Sequence, residues 1–238
     1  MTDHTVKSFG EQLEALSALV AQMGGLAEAQ FAAAIEAIAR RDSVAAERAV
    51  AGDTRIDEIQ QEIEDRALKL LALRQPMAVD LRETLAAVKT AAELERIGDL
   101  AKNIAKRALV LNREPPIRLT QSLARMGKAA QNQLKEVLDA FTNRNAEEAE
   151  AVWNRDGEID EIYNSLFREL LTYMMEDPRT IGLCTHLLFV AKNIERSGDH
   201  CTNIAEVVYH MVRAGHLANT RPKADITSET SVPYETHT

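Results

Sequence analysis

Apolar residues recur along this chain every three or four positions, the spacing that lines one face of an α-helix. One stripe runs through Leu13, Leu16, Val20 and Met23, a second through Ile56, Ile59 and Ile63, and a third through Leu94, Ile97, Ala101 and Ile104. Pro115-Pro116, a pair that no helix interior tolerates, then interrupts the chain. Beyond it the stripes resume as Leu119, Leu123, Met126, Ala130 and Leu134, then Ile159, Ile162, Leu166 and Leu170, then Ile194, Cys201, Ile204 and Val208. Each half predicts three long helices.

The halves are also alike residue by residue. A shift of 103 positions lays Met23-Gly24 on Met126-Gly127, Gln30 on Gln133, Arg41 on Arg144 and Ile56-Asp57-Glu58-Ile59 on Ile159-Asp160-Glu161-Ile162. A shift of 100 lays Glu95-Arg96, Gly98-Asp99 and Asn103-Ile104-Ala105 on Glu195-Arg196, Gly198-Asp199 and Asn203-Ile204-Ala205. Such self-similarity marks a duplicated unit. Cap-type residues at Asp42-Ser43 and Asn143 to Asn145 open new helices, and Gln75-Pro76 and Asp177-Pro178 mark turns. The expected fold is all-α, a tandem repeat of two three-helix bundles with six long antiparallel helices. The expected units are residues 1–112 and 116–217, followed by a flexible tail over 218–238, where periodicity gives way to Thr, Ser and Pro.

Composition narrows the function. A formal charge of −9 opposes nucleic acid and anionic lipid, both of which need a basic surface. Cys184 and Cys201 lie about 25 Å apart on one helix, too far for a disulfide, which suits a reducing compartment. The apolar run Leu187 to Ala191 is far short of the ~20 residues of a membrane span, and Glu11 and Glu14 break any signal-peptide core. The expected location is cytoplasmic, without membrane insertion.

Chemistry concentrates in four acidic pairs at i, i+4 spacing, which puts both carboxylates on one helical face. They are Asp53/Asp57 and Glu95/Asp99 in the first half, and Asp156/Asp160 and Glu195/Asp199 in the second. Pro76 lies 19 residues after Asp57 and 19 before Glu95, so both acids stand about 28 Å along their helices. Asp57 is expected to face Glu95, and Asp53 to face Asp99. Asp160 and Glu195 are level around Pro178 in the same way. The acids flank the apolar stripes, which suits a rim or groove. Crowded carboxylates need protons, cations or a metal, and hard oxygen ligands favour Mg²⁺, Ca²⁺, Mn²⁺ or iron. They read equally as solvated surface acids compensated by Arg96, Arg196, Lys102 and Lys192. Asn103 and Asn203 stand one turn further on, as second-layer partners or surface residues. Gly98 and Gly198 predict close helix packing.

The segments Glu95-Arg96-Ile97-Gly98-Asp99 and Glu195-Arg196-Ser197-Gly198-Asp199, each leading to Asn-Ile-Ala, resemble the paired signature of the PhoU family. The resemblance spans residues 8 to 215. It implies two tandem three-helix bundles whose acidic motifs hold metal ions, in several members as iron or zinc clusters. Carried over by motif, the ligands are Asp53, Asp57, Glu95, Asp99, Asp156, Asp160, Glu195 and Asp199, with Fe, Zn, Mg, Mn or Ca as the ion. It also implies a homodimeric, non-enzymatic negative regulator of the phosphate-starvation response, working with the Pst transporter ATPase subunit and a PhoR-type histidine kinase. Ser197 and Lys192 depart from the first half's Ile97 and Ala92, and Lys192 can neutralise Glu195.

Two other readings stay open: a carboxylate-bridged metalloenzyme and a metal-free helical adaptor. Di-iron bundles use Glu-x-x-His pairs, and no histidine here stands three residues after a Glu. His200, beside Asp199, points about 100° away from it. Phosphate-loop, His-Glu-x-x-His and Gly-x-Ser-x-Gly motifs are missing. Glu95→Ala combined with Asp99→Ala is expected to lower metal content while leaving helicity intact. Elemental analysis and circular dichroism check this, and a collapsed helical signal would mark the acids as structural.

Overall fold

A computed structural model of the chain describes residues 2–74, 78–115, 120–217, 221, 223–225 and 227. Its elements are all helical, with six long α-helices, two short ones and a 3-10 turn at Pro178–Thr180 among the described residues. The first half holds α1 (Thr2–Ala39), α2 (Ser43–Ala51), α3 (Asp53–Arg74) and α4 (Ala78–Leu111). The second holds α5 (Thr120–Asn143), α6 (Ala146–Asn154), α7 (Gly157–Glu176) and α8 (Ile181–Arg213). Pro76, Pro116 and Leu119 fall outside the described residues.

The short helices α2 and α6 refine the three-helix expectation, because each half's second helix is broken in two. Each short helix is started by the same device. Arg41 and Arg144 adopt left-handed backbone, with φ of 56° and 51°. Asp42 Oδ1 then accepts the amides of Val44 and Ala45 at 2.9 and 3.0 Å, and Asn145 Oδ1 those of Glu147 and Glu148 at 3.1 Å. These bonds satisfy amides that a helix start leaves without partners. The break after each short helix puts Asp53 in the first turn of α3 and Asp156 immediately before α7.

The predicted stripes form the core. Leu16, Val20, Met23, Ile56, Ile59, Ile63, Leu94, Ile97 and Ile104 are fully enclosed, as are Leu123, Met126, Ile194, Ile204 and Val208. In the first half α1 and α3 pack on α4, and in the second α5 and α7 pack on α8. The halves meet along α1 against α5 and α4 against α8. Both cysteines are free and buried on α8.

By length and composition alone, α1 over Phe9–Ala39 is apolar enough to cross a bilayer, with a mean hydropathy of 1.2 in its richest stretch. Alanines scattered around the helix raise the average without forming a conspicuous run. Its continuous stripe from Leu16 to Ile38 is committed to the core.

Close approach explains the repeated glycines. A Cβ on Gly98 would stand 3.1 Å from Ile56 Cδ1, and one on Gly198 2.7 Å from Ile159 Cδ1. Gly24 and Gly127 do the same work between halves, the first against Leu138 and the second against Ile35. A Cβ on Gly127 would meet three Ile35 carbons at 2.7 to 2.9 Å, more than a turn of the side-chain tip can relieve. Gly127→Ala is expected to lower stability by about 1 to 2 kcal/mol through overpacking, despite a helix-propensity gain of about 1 kcal/mol. Denaturant unfolding measures this, and a raised midpoint would show that the seam yields freely.

Candidate functional site: two carboxylate clusters and the segment that docks on one

The close contacts of Ile56 on Gly98 and Ile159 on Gly198 bring each acidic pair opposite its counterpart. In the first cluster Lys102 on α4 bonds Asp53 on α3 and lies 3.6 Å from Asp99. Asp53 and Asp99 therefore face each other, as the levels on the two helices predict. Arg96 stands 3.5 Å from Glu95. Burial raises the Asp57 carboxyl above its ordinary range, and Asp53 and Asp99 add to the effect. Burial likewise raises Glu95, with Asp99 and Asp57 reinforcing it against Arg96. Asp57, Glu95 and Asp99 sit at a half-open rim, while Asp53 is buried.

The second cluster differs. Asp156, Asp160 and Glu195 are only 4, 4 and 5% exposed, so the rim expectation fails for these three. What encloses them includes residues from the segment read as a flexible tail. Arg221 donates from Nε and Nη2 to Asp156 at 2.7 and 2.8 Å, and from Nη2 to Asp199 at 2.5 Å. The amides of Ala224 and Asp225 donate to Asp160 Oδ2 at 2.8 and 3.1 Å. Lys192 bridges Glu195 at 2.9 Å and Asp225 at 2.8 Å, which realises the neutralisation expected of that lysine. Burial opposes the charge of Lys192, but these two bonds outweigh it and hold its pKa up. Burial pushes the Glu195 carboxyl up to about 7 even so, with Asp199 and Asp160 adding to the rise.

Asn203 donates to Glu93 on α4 at 3.0 Å and accepts from Arg221 at 3.2 Å. His200 also meets Glu93, at 2.6 Å, as a partly packed residue turned away from Asp199. Sequence reasoning missed Glu93 and Arg221. Neither belongs to a motif, and Arg221 lies 65 residues along the chain from Asp156. The neighbouring cleft between α4 and α8, about 500 Å³, is bordered by Arg82, Lys89, Glu93, Asn203 and His210.

Among the described residues, no three His, Cys, Asp or Glu side chains are grouped so as to hold a metal ion. The first cluster offers only carboxylate oxygens, a donor set that suits hard cations, with Lys102 between two of them. In the second cluster the oxygens that face Arg221, Lys192 and the Ala224 and Asp225 amides are already engaged by guanidinium, ammonium and amide donors, which an ion would have to displace.

PhoU domains match the chain twice, over residues 20–108 and 123–208. The chain belongs to the PhoU family. It is 58% identical over 230 residues to the phosphate-specific transport system accessory protein PhoU homolog of Caulobacter vibrioides, covering 96% of this chain and all of that one. Its fold matches the crystal structure of PhoU from Pseudomonas aeruginosa with a TM-score of 0.85 and 37% identity, over 87% of this chain and all of that one. It also matches the phosphate transport system regulatory protein PhoU from Streptococcus pneumoniae, with a TM-score of 0.81 and 29% identity, over 89% of this chain and all of that one. The two PhoU repeats coincide with the two bundles, and each contains all four of its half's acids.

Glu195 gives a pH signature. Its native pKa of about 7 lies above the ordinary 4.5, so between these values the folded chain holds a proton that the unfolded chain releases. That contribution to stability is present below pH 4.5 and is lost as pH rises to about 7. Glu195→Gln is expected to gain stability relative to the parent across this window, measured as the difference in Tm at its two ends. A constant difference would show that Glu195 titrates normally.

Proposed function

We propose that this PhoU-family chain is a negative regulator of the phosphate-starvation response. It couples a Pst-type phosphate transporter to a PhoR-type sensor histidine kinase, acts by docking rather than catalysis, and contributes to phosphate homeostasis. The observation that carries this reading is the 58% identity, along 96% of the chain, to a protein named for its accessory role in phosphate-specific transport. In this reading it works in the cytoplasm as a homodimer, where it meets the transporter's ATPase subunit and the kinase.

The first acidic cluster is its metal-binding site. Its donors Asp57, Glu95 and Asp99 are accessible at the rim, and the crowding that raises Asp57 and Glu95 would be relieved by a cation. Lys102, more exposed than the Asp53 it bonds, must leave its place between Asp53 and Asp99 when an ion enters. Divalent Mg, Mn, Ca or Zn, or iron, are the candidate ions.

Deletion of the gene is expected to leave a phosphate-starvation reporter switched on in phosphate-rich medium, with repression restored by the wild-type chain. The chain should also co-purify with the transporter ATPase and the kinase. Normal repression in the deletion strain, or capture of neither partner at any phosphate level, would refute the regulatory reading.

A further inference from the structure

The two clusters are equivalent by repeat but are neutralised from different places. Lys102 links Asp53 and Asp99 in the first half, and its counterpart 100 positions on is Thr202. The Thr202 hydroxyl reaches Asp156 at 2.7 Å but carries no charge. Asp156 and Asp199, the counterparts of Asp53 and Asp99, therefore receive no cation at that position from their own bundle. Arg221 supplies it, gripping Asp156 with two parallel bonds and Asp199 with a third.

The remaining contacts read backbone. Asp160 accepts two consecutive amides, from Ala224 and Asp225, and buried Asn164 donates to the Ala224 carbonyl at 2.7 Å. Lys192, placed where the first half has Ala92, meets the Asp225 carboxylate. Consecutive amides, a carbonyl and two side chains of opposite charge are the features of a peptide, whereas an ion presents only charge. Among the described residues, Glu195 Oε2 is buried in this cluster with no hydrogen-bond partner, so the pocket has capacity for one more donor.

We propose that the second carboxylate cluster is a peptide site, that its occupant is the chain's own segment around Arg221 to Asp225, and that the Arg221 guanidinium holds the position a cation would take. The inference goes beyond the regulatory role and does not depend on it. Docked segment and divalent ion compete for Asp156 and Asp199, so the second half binds such ions weakly while the first remains open to them. Bidentate guanidinium–carboxylate pairing is among the stronger polar contacts in proteins, and removing its arginine leaves buried carboxylates exposed to any other cation.

Hydrogen exchange on the full-length chain tests the docking. The Ala224 and Asp225 amides are expected to exchange at least about tenfold more slowly than in an unstructured peptide. Arg221→Ala should remove most of that protection and leave the α8 amides unchanged, and Arg221→Lys should restore part of it. Unprotected amides in the wild type, or protection indifferent to Arg221→Ala, overturns the proposal. Mn²⁺ calorimetry tests the competition, with Glu95→Ala and Asp99→Ala silencing the first cluster. In that background Arg221→Ala should raise Mn²⁺ affinity about tenfold or more, roughly 1.4 kcal/mol. Equal Mn²⁺ affinity with and without Arg221 overturns its role as the resident cation. Failure of the regulatory reading would leave both readouts unmoved.

Discussion

The architecture turns on two contacts in which a helix backbone accepts an isoleucine with nothing between them, Ile56 on Gly98 and Ile159 on Gly198. They draw α3 onto α4 and α7 onto α8 along the apolar stripes. The flanking carboxylates are carried to the same level whether or not their charges favour it. Hydrophobic burial thereby imposes an electrostatic problem on the surface of each bundle. Lys102 answers it in one half, and Lys192 with Arg221 in the other.

The halves share packing and diverge in polar detail. Both start their short helices from a left-handed arginine and a capping Asp or Asn, yet the two arginines then part company. Arg41 donates to the Asn112 carbonyl of its own half, whereas Arg144 crosses the seam to Glu83 at 2.7 Å. The seam is sealed by Gly24 beneath Leu138 and Gly127 against Ile35. Beside the Arg144–Glu83 pair, Glu93 adds a polar stitch shared by His200 and Asn203. Through Asn203 this stitch touches Arg221, so α4 of the first half is two hydrogen bonds from the docked segment.

Much of this was legible in the sequence because it follows from periodicity and spacing. The stripes, the duplicated helices, the turn at Asp177-Pro178 and the facing of Asp53 with Asp99 all come from 3.6-residue geometry applied to a repeat. The breaks that create α2 and α6 as separate short helices were only half legible: cap-type residues mark where each begins, but the ends, capped by Gly52 and by Arg155, share no stop signal between the repeats. The burial of Asp156, Asp160 and Glu195 was not legible at all. Part of their enclosure comes from Arg221, Ala224 and Asp225, which bear no repeat partner and come from a stretch whose Thr, Ser and Pro content reads as unstructured. A long-range contact made by one arginine and two backbone amides leaves no periodic trace.

The exchange of Lys102 for Thr202 has a consequence for reading relatives. If Arg221 occupies the place of a missing lysine, the residues at positions 202 and 221 form a coupled pair, free to vary together but not separately. A relative with lysine at the equivalent of Thr202 would have no need of the arginine, and its C-terminal segment would be released to drift in sequence. Frequent lysine at the first position alongside an unchanged arginine at the second would break that coupling. Duplication would then have produced one half that is self-sufficient in charge and one that depends on sequence outside the repeat, a dependence that natural variation alone can expose.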